Sequence, residues 1–243
     1  VWGHSGTDNG GDIMVVSIHQ PDYIPYLGYF YKIACSDVFV FLDDAQFSSD
    51  NMHHWNVIKT PQGECRLKIP VEHRFGDPIN RVRTKDELKW KDKHLRTLEM
   101  NYARAPYYRE VFPKFKELLL SSYDNLAQMN MEINRYLCDS FGLHPRYYVS
   151  SEMDIHTVRE ERVIDLCCAV GGTTYLSGHG ASVYQVDEHF KERGLGLRYT
   201  DYTSDFTYSQ LWQDFLPNMS VLDYVLNCGF DWDAVERAVR GGR

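Results

Sequence analysis

Val16-Ser17-Ile18-His19-Gln20-Pro21-Asp22-Tyr23-Ile24-Pro25-Tyr26-Leu27-Gly28-Tyr29-Phe30 is the stretch whose reading decides the fold. The apolar run from Val15 to Ile18 reads as a strand that ends on a polar pair, His19-Gln20. Two prolines then stop the strand, and Pro25 has the fixed φ that suits a helix start. A helix is therefore predicted from about Pro25 to Cys35. This order places an imidazole and an amide at the carboxyl end of an early strand, facing a helix N-terminus. That is where α/β proteins build ligand sites. The nearby Tyr23 and Tyr26 suit a cleft that stacks a ring or a sugar face.

Working outward, Val38–Leu42 is a continuous apolar run ending in Asp43-Asp44, as expected of a strand buried on both faces. Ile58–Thr60 and Cys65–Val71 flank Pro61-Gln62-Gly63, which predicts a hairpin. Thr84 with Glu87 has capping-box spacing and is expected to open a helix through about Arg104. Further helices are predicted over about Tyr107–Ser121 and Asp124–Phe141, then a strand at Arg146–Ser150. A second capping-box spacing, Thr157 with Glu160, opens a helix to Val170. The strand Thr173–Leu176 runs into Ser177-Gly178-His179-Gly180-Ala181, followed by a helix to Arg193. Leu195–Tyr199 is the last strand, and Ser220–Asn227 and Trp232–Val239 are terminal helices. The order implies one α/β domain over residues 14–243, with a mainly parallel, Rossmann-like sheet, a hairpin and a helical insertion at about 84–142. Residues 1–13 are small, polar and Gly-rich, and are expected to form a disordered extension ahead of Met14.

At 243 residues and 43% hydrophobic, the chain is long enough for a sizeable core. A net charge of −8 argues against a nucleic-acid binder, which carries a basic surface. The basic run Arg81 to Arg96 is interleaved with acids and reads as a solvated helix face. The six cysteines form no CxxC pair and no zinc spacing, so free thiols in a reducing cytoplasm are expected. No apolar run approaches the ~18–20 residues that span a bilayer.

The candidate site residues each carry two readings. His19-Gln20 fits a base and an amide in a ligand site, or a strand-end pair that satisfies loop backbone. Asp43 and Asp44 follow the second strand, where they would orient His19, bind sugar hydroxyls or, in Asp44's case, hold Mg²⁺; alternatively they begin a turn. Trp55, Asn56 and Lys59 fit ligand contacts, with Lys59 meeting a phosphate or carboxylate, or simply a hairpin start. Trp90 and His94 share a helix face, toward a ligand or toward the sheet. Ser177, Gly178, His179 and Gly180, with Tyr184 beyond, suggest a strand-loop-helix anion site, short of any nucleotide fingerprint, or a plain glycine-rich connection. Ser220 and Asp223 are better read as a helix cap than as catalytic groups.

These landmarks together resemble the WbqC-like family. The resemblance is carried by His19-Gln20-Pro21 through Phe30, Asp37 to Phe47, Trp55 to Lys59, Trp90 with His94, Tyr102 with Ala105-Pro106-Tyr107, Tyr175 to Gly178, and Phe215 to Gly229. It implies a setting, bacterial polysaccharide and amino-sugar metabolism, more than a reaction. One local departure is Asn51-Met52-His53-His54, where the pattern leads to a more basic stretch. A fainter likeness links the first segment and Ala34 to Phe47 with HIGH-type adenylate-forming ligases. Their two imidazoles would fall on Tyr26 and Tyr29, so His19 and Lys59 would have to replace them.

The resulting expectation is a transferase that forms an amide, moving an acyl or aminoacyl group to an amine such as an amino sugar. His19 would be the general base and Asp43 its orienter. Gln20, Tyr23, Tyr26 and the residues above would bind substrate, a nucleotide-sugar or a carrier-bound acyl group, with an acyl carrier or coenzyme A as donor. The alternatives are ATP- and Mg²⁺-dependent ligation in the same cleft, or a non-catalytic sugar or nucleotide-sugar binding protein. A small-molecule substrate, no nucleic acid and no membrane span are expected throughout.

Overall fold

A computed structural model describes residues 12–178, 180, 185–203, 206–212 and 214–241. Most of the extension expected to be disordered, together with His179 and Tyr184, therefore lies outside the described residues. The central sheet has five strands: β1 (Val15–His19), β2 (Val38–Phe41), β7 (Arg146–Val149), β8 (Thr174–Ser177) and β9 (Gly196–Tyr199). Their order is β7-β2-β1-β8-β9, and every neighbouring pair is parallel. The expected α/β architecture with a parallel sheet is thus the one observed. Helix α1 (Leu27–Ala34) connects β1 to β2, and α6 (Asp187–Glu192) connects β8 to β9.

All four residues of β2 are buried, as both faces of a parallel strand must be. Phe39 and Phe41 face α1 and the inserted helices, while Val38 and Val40 join Val16, Ile18 and helix α5 (Arg159–Ala169) on the other side. Each such side chain taken from water contributes about 1.5–3 kcal/mol. Between β2 and β7 lie the hairpin β3 (Trp55–Thr60) and β4 (Gly63–Lys68), the short pair β5 (Val71–Glu72) and β6 (Arg83–Thr84), and helices α2 (Trp90–Tyr102), α3 (Tyr108–Leu120) and α4 (Leu126–Ser140). Helices α7 (Val221–Cys228) and α8 (Trp232–Gly241) close the chain.

Two expected helix starts are corrected. Thr84 belongs to a strand, and its hydroxyl donates to Asp86, which also accepts from the Trp90 indole; α2 begins only at Trp90, after Lys89 in a left-handed conformation. The helical part of the insertion thus starts later than residue 84, and Arg81 to Lys89 is not a helix face. Thr157 donates to Asp165, while Glu160 reaches away to the Val186 amide and His189, so the pair is no capping box. Asn125 does cap α4, accepting from the Gln128 amide, and Ser220 caps α7 through the Leu222 amide.

Candidate functional site

The sheet order reverses direction at β1 and β8. From β1 the chain proceeds to β2 and β7 on one side, and from β8 to β9 on the other. Ligands of open α/β sheets bind outside the carboxyl ends of the strands at such a switch point. A cavity of about 530 Å³ lies there, lined by Ile18, His19 and Gln20 at the end of β1 and by Ser177 and Gly178 at the end of β8. The backbone ladder between the two strands is confined to Val15–Thr174 and Val16–Tyr175. Beyond that point the Ser17 hydroxyl bonds the Leu176 carbonyl, and the Lys32 ammonium bonds the Ile18 carbonyl at 2.8 Å.

The loop that carries His19 is held at six consecutive carbonyls. Gln20 O accepts from the Tyr29 hydroxyl and lies 3.0 Å from His19 Nδ1. Pro21 O and Asp22 O accept from Asn130 and Asn134 of α4. Tyr23 O and Ile24 O accept from Asn56, Ile24 O also from Ser220, and Pro25 O from the Val221 amide. Asn56, Asn130, Asn134 and Ser220 are fully buried for this purpose. Ile24 is thereby fixed at φ +39°, a conformation a β-branched residue adopts only when its surroundings impose it. Asn56 is thus a scaffold residue of the His19 loop.

A carbonyl only accepts, so the contact with Gln20 O assigns the His19 proton to Nδ1 and leaves Nε2 with the free lone pair. Burial lowers the His19 pKa, and the charge of Lys32 lowers it further; Asp22 and the bond to Gln20 oppose them. The net effect favours the neutral imidazole, whose side chain is 33% exposed. Its ring meets Tyr29 edge-on at 4.9 Å. The carboxylate beside it is Asp22, 3.8 Å from Nδ1, which also bonds buried His53 at 2.9 Å.

Asp43 does not orient His19. Its carboxylate accepts from Asn80, from the Ser150 and Ser151 hydroxyls and from the Ser151 amide, tying the end of β2 to the turn after β7. Asp44 is bound by Arg162 and the Ser150 hydroxyl, so a Mg²⁺ ion would have to displace a guanidinium. Among the described residues, no three His, Cys, Asp or Glu side chains converge on a metal position.

The remaining expected contacts divide. Gln20, Tyr26, Ser177, Gly178 and Gly180 line the cavity. Tyr23 is buried against Trp90 and bonds His94 Nδ1 at 3.0 Å, while His94 Nε2 faces the Lys68 carbonyl. Burial holds the His94 pKa at about 4, so this trio is a neutral core cluster. Trp55 stacks under Arg66, 4.1 Å from its ring centre, on the hairpin. Lys59 donates to Gln210 and to the Asp214 carbonyl, fastening the segment before α7 rather than reaching the cavity. It therefore does not stand in for a ligase imidazole. Helix α6 starts at Asp187, and most of the loop expected to form an anion cradle, His179 and residues 181–184, lies outside the described residues.

Several cavity groups went unread as site residues in the sequence, among them Lys32, Tyr29, Gln185, Thr200 and the Tyr175 and Tyr202 rings. Lys32 had a signal, as the one charge in a helix whose other residues are apolar or aromatic, seven of the eight buried. Asp223, read as a cap partner, instead accepts from Tyr102, Tyr208 and Gln210 in a buried network. Burial raises its pKa.

The model of the WbqC-like protein family matches residues 20–234. The chain belongs to the WbqC-like protein family. A relative in Mycobacterium tuberculosis, named as uncharacterized protein Rv1507c, is 33% identical over 217 residues, covering 88% of this chain and 94% of that protein. No solved structure matches. The family match takes in the whole parallel sheet except β1, whose last residue is His19, and includes the other main strands of the cavity. No described helix of this WbqC-like chain is long and apolar enough to cross a membrane.

Proposed function

We propose that the switch-point cavity is the active site of a transferase that moves an acyl or aminoacyl group from an activated donor to an amine, forming an amide. The observation that carries the reading is the place of His19: its Nδ1 contacts the Gln20 carbonyl, which leaves Nε2 as the accepting nitrogen, and a many-times-bonded loop sets the ring into the wall of the cavity. In the reaction the amine attacks the donor carbonyl and Nε2 takes the amine proton. The tetrahedral intermediate then collapses, expelling the donor's leaving group, to which the imidazolium returns the proton. Asp22 is a positioning residue, favouring the imidazolium that forms. Among the described residues nothing stands where a side chain at Gly178 would be, which would let a reacting carbonyl approach the backbone at the end of β8. The Tyr26, Tyr29, Tyr175 and Tyr202 rings line the same space and suit a sugar or acyl face. An amino sugar of bacterial polysaccharide metabolism is the acceptor class that fits the family setting.

The test is turnover of a panel of acyl-coenzyme A donors against amino-sugar nucleotides, followed by mass spectrometry of the amide. His19→Ala should lower the rate by about 10²–10⁴ without unfolding the protein. Normal turnover in a folded His19→Ala protein would overturn the assignment. ATP-dependent pyrophosphate exchange would replace transfer with ligation.

A further inference from the structure

The cavity holds a cation that the reaction above does not use. Lys32 is 5% exposed, yet it lines the cavity from α1. Its ammonium has three protons, of which the Ile18 carbonyl takes one. Among the described residues no carboxylate forms an ion pair with it, and the Tyr175 ring centre lies 6.0 Å away. A buried ammonium with no carboxylate in ion-pair contact is costly, and a bound anion would offset that cost. The groups around it point to the same ligand. The first turn of α1 lines the cavity through Gly28, and its N-cap, Tyr26, offers no side-chain acceptor. A side chain at position 28 would strike the Tyr26 and Tyr202 rings, so glycine keeps this turn close to the cavity. Ser177 and Gly178, at the end of β8, line the same cavity.

We infer that Lys32, with the first turn of α1 and Ser177, forms a phosphoryl-binding subsite that anchors the phosphate of a carrier thioester or of a nucleotide-sugar beside His19. An ammonium with two protons left over matches a phosphoryl group, which offers several acceptor oxygens at once. The subsite also acts on His19. Lys32's charge is one cause of the lowered His19 pKa, and a bound anion would offset it. This inference rests on the reading of the cavity as an active site, and it names the substrate class of that site.

The experiment is calorimetric titration of the intact protein with inorganic pyrophosphate. Wild type should bind, and Lys32→Met should bind at least tenfold more weakly. Lys191→Met, an exposed control on α6, should bind as wild type does. A second measurement needs no variant. Wild-type protein is treated with acetic anhydride at pH 8, and acetylation is mapped by mass spectrometry. Pyrophosphate should slow modification of Lys32 at least tenfold and leave Lys191 unaffected. Lys32-dependent binding of coenzyme A or of UDP-glucose, tighter than that of pyrophosphate, identifies the molecule that carries the group. Absence of pyrophosphate binding, equal binding by Lys32→Met, or unprotected Lys32 overturns the subsite. Turnover enters none of these readouts, so an inactive acyl-donor panel would count against the transferase alone.

Discussion

Replacing Lys32 with methionine should remove an alkaline pH dependence from the stability of the fold. Methionine has a stem of similar length and no charge. Burial lowers the Lys32 pKa from 10.5 to about 8, against the opposing pull of Cys167 and Asp22. A change of that size is worth roughly 3 kcal/mol against the charged form. The unfolded chain keeps an ordinary lysine. From about pH 8 to 10.5 it binds more protons than the folded chain, so stability rises with pH across that window. At pH 7 nearly the whole penalty is present, and by pH 9.5 roughly 2 kcal/mol of it is gone. The variant has no such group. Its stability relative to wild type should fall by roughly 2 kcal/mol between pH 7 and pH 9.5. Losing the bond to the Ile18 carbonyl costs the variant about 1–3 kcal/mol at both pH values, so it drops out of the difference. Urea titrations of both proteins at the two pH values measure it, with equal m-values as the control for a common unfolded state. Parallel stability curves would refute a buried ammonium at this position.

Asp22→Asn should lower the His19 pKa further, because the Asp22 charge is one of the influences that raise it. An NMR titration of the imidazole reads this directly, and an unchanged or higher pKa would rule Asp22 out as the positioning carboxylate. Ser220→Ala should cost about 1–3 kcal/mol in urea unfolding, more than a surface cap, because the hydroxyl is buried and donates to the Ile24 carbonyl while it caps α7. A loss below about 0.5 kcal/mol would mean that Asn56 alone suffices to hold that carbonyl. Lys89→Gly should stabilise by up to about 1 kcal/mol, since Lys89 is exposed at φ +50° and glycine enters that region freely; a destabilised variant would refute the strain.

The parallel sheet was legible because each strand announces itself locally. Val15–Ile18 and Val38–Leu42 are short apolar runs closed by polar or proline punctuation, and both appear within a residue or two of where the pattern ends. His19, Gln20, Ser177 and Gly178 were legible as site residues for the same reason, since strand ends are visible in one dimension. The failures concern partners. Asp43 follows β2 and β2 adjoins β1, yet side-chain direction, not strand adjacency, decides contact; Asp43 turns toward Ser150, 107 residues away. Trp90, His94 and Asn56 have the composition of ligand contacts, but their polar atoms are consumed by the Asp86 carboxylate, the Tyr23 hydroxyl and the carbonyls of the His19 loop. Both false capping boxes had correct spacing, but their threonines donate to Asp86 and Asp165, and Glu160 is taken by Val186 and His189.

Lys32 shows why its role could not be read locally. Where a backbone ladder ends inside a core, carbonyls lose their amide partners, and a buried carbonyl must be paired. Here the ladder between β1 and β8 ends after Val16 and Tyr175, and side chains take over from backbone amides. Ser17 supplies the donor to Leu176 and Lys32 supplies the donor to Ile18. A neutral donor would have satisfied Ile18 at lower desolvation cost, as the serine does across the gap. The choice of an ammonium is therefore not explained by the carbonyl. It is explained if the cavity beyond the end of the ladder receives an anion, because the same charge then pairs the Ile18 carbonyl and binds what enters. Ladder end, cation and cavity meet at one place, assembled from residues 159 positions apart at Ser17 and Leu176. A variant that pairs Ile18 without a charge should keep the crevice open and lose its affinity for phosphate. Lys32→Gln is that variant: retained pyrophosphate affinity would show that the lysine serves the sheet alone.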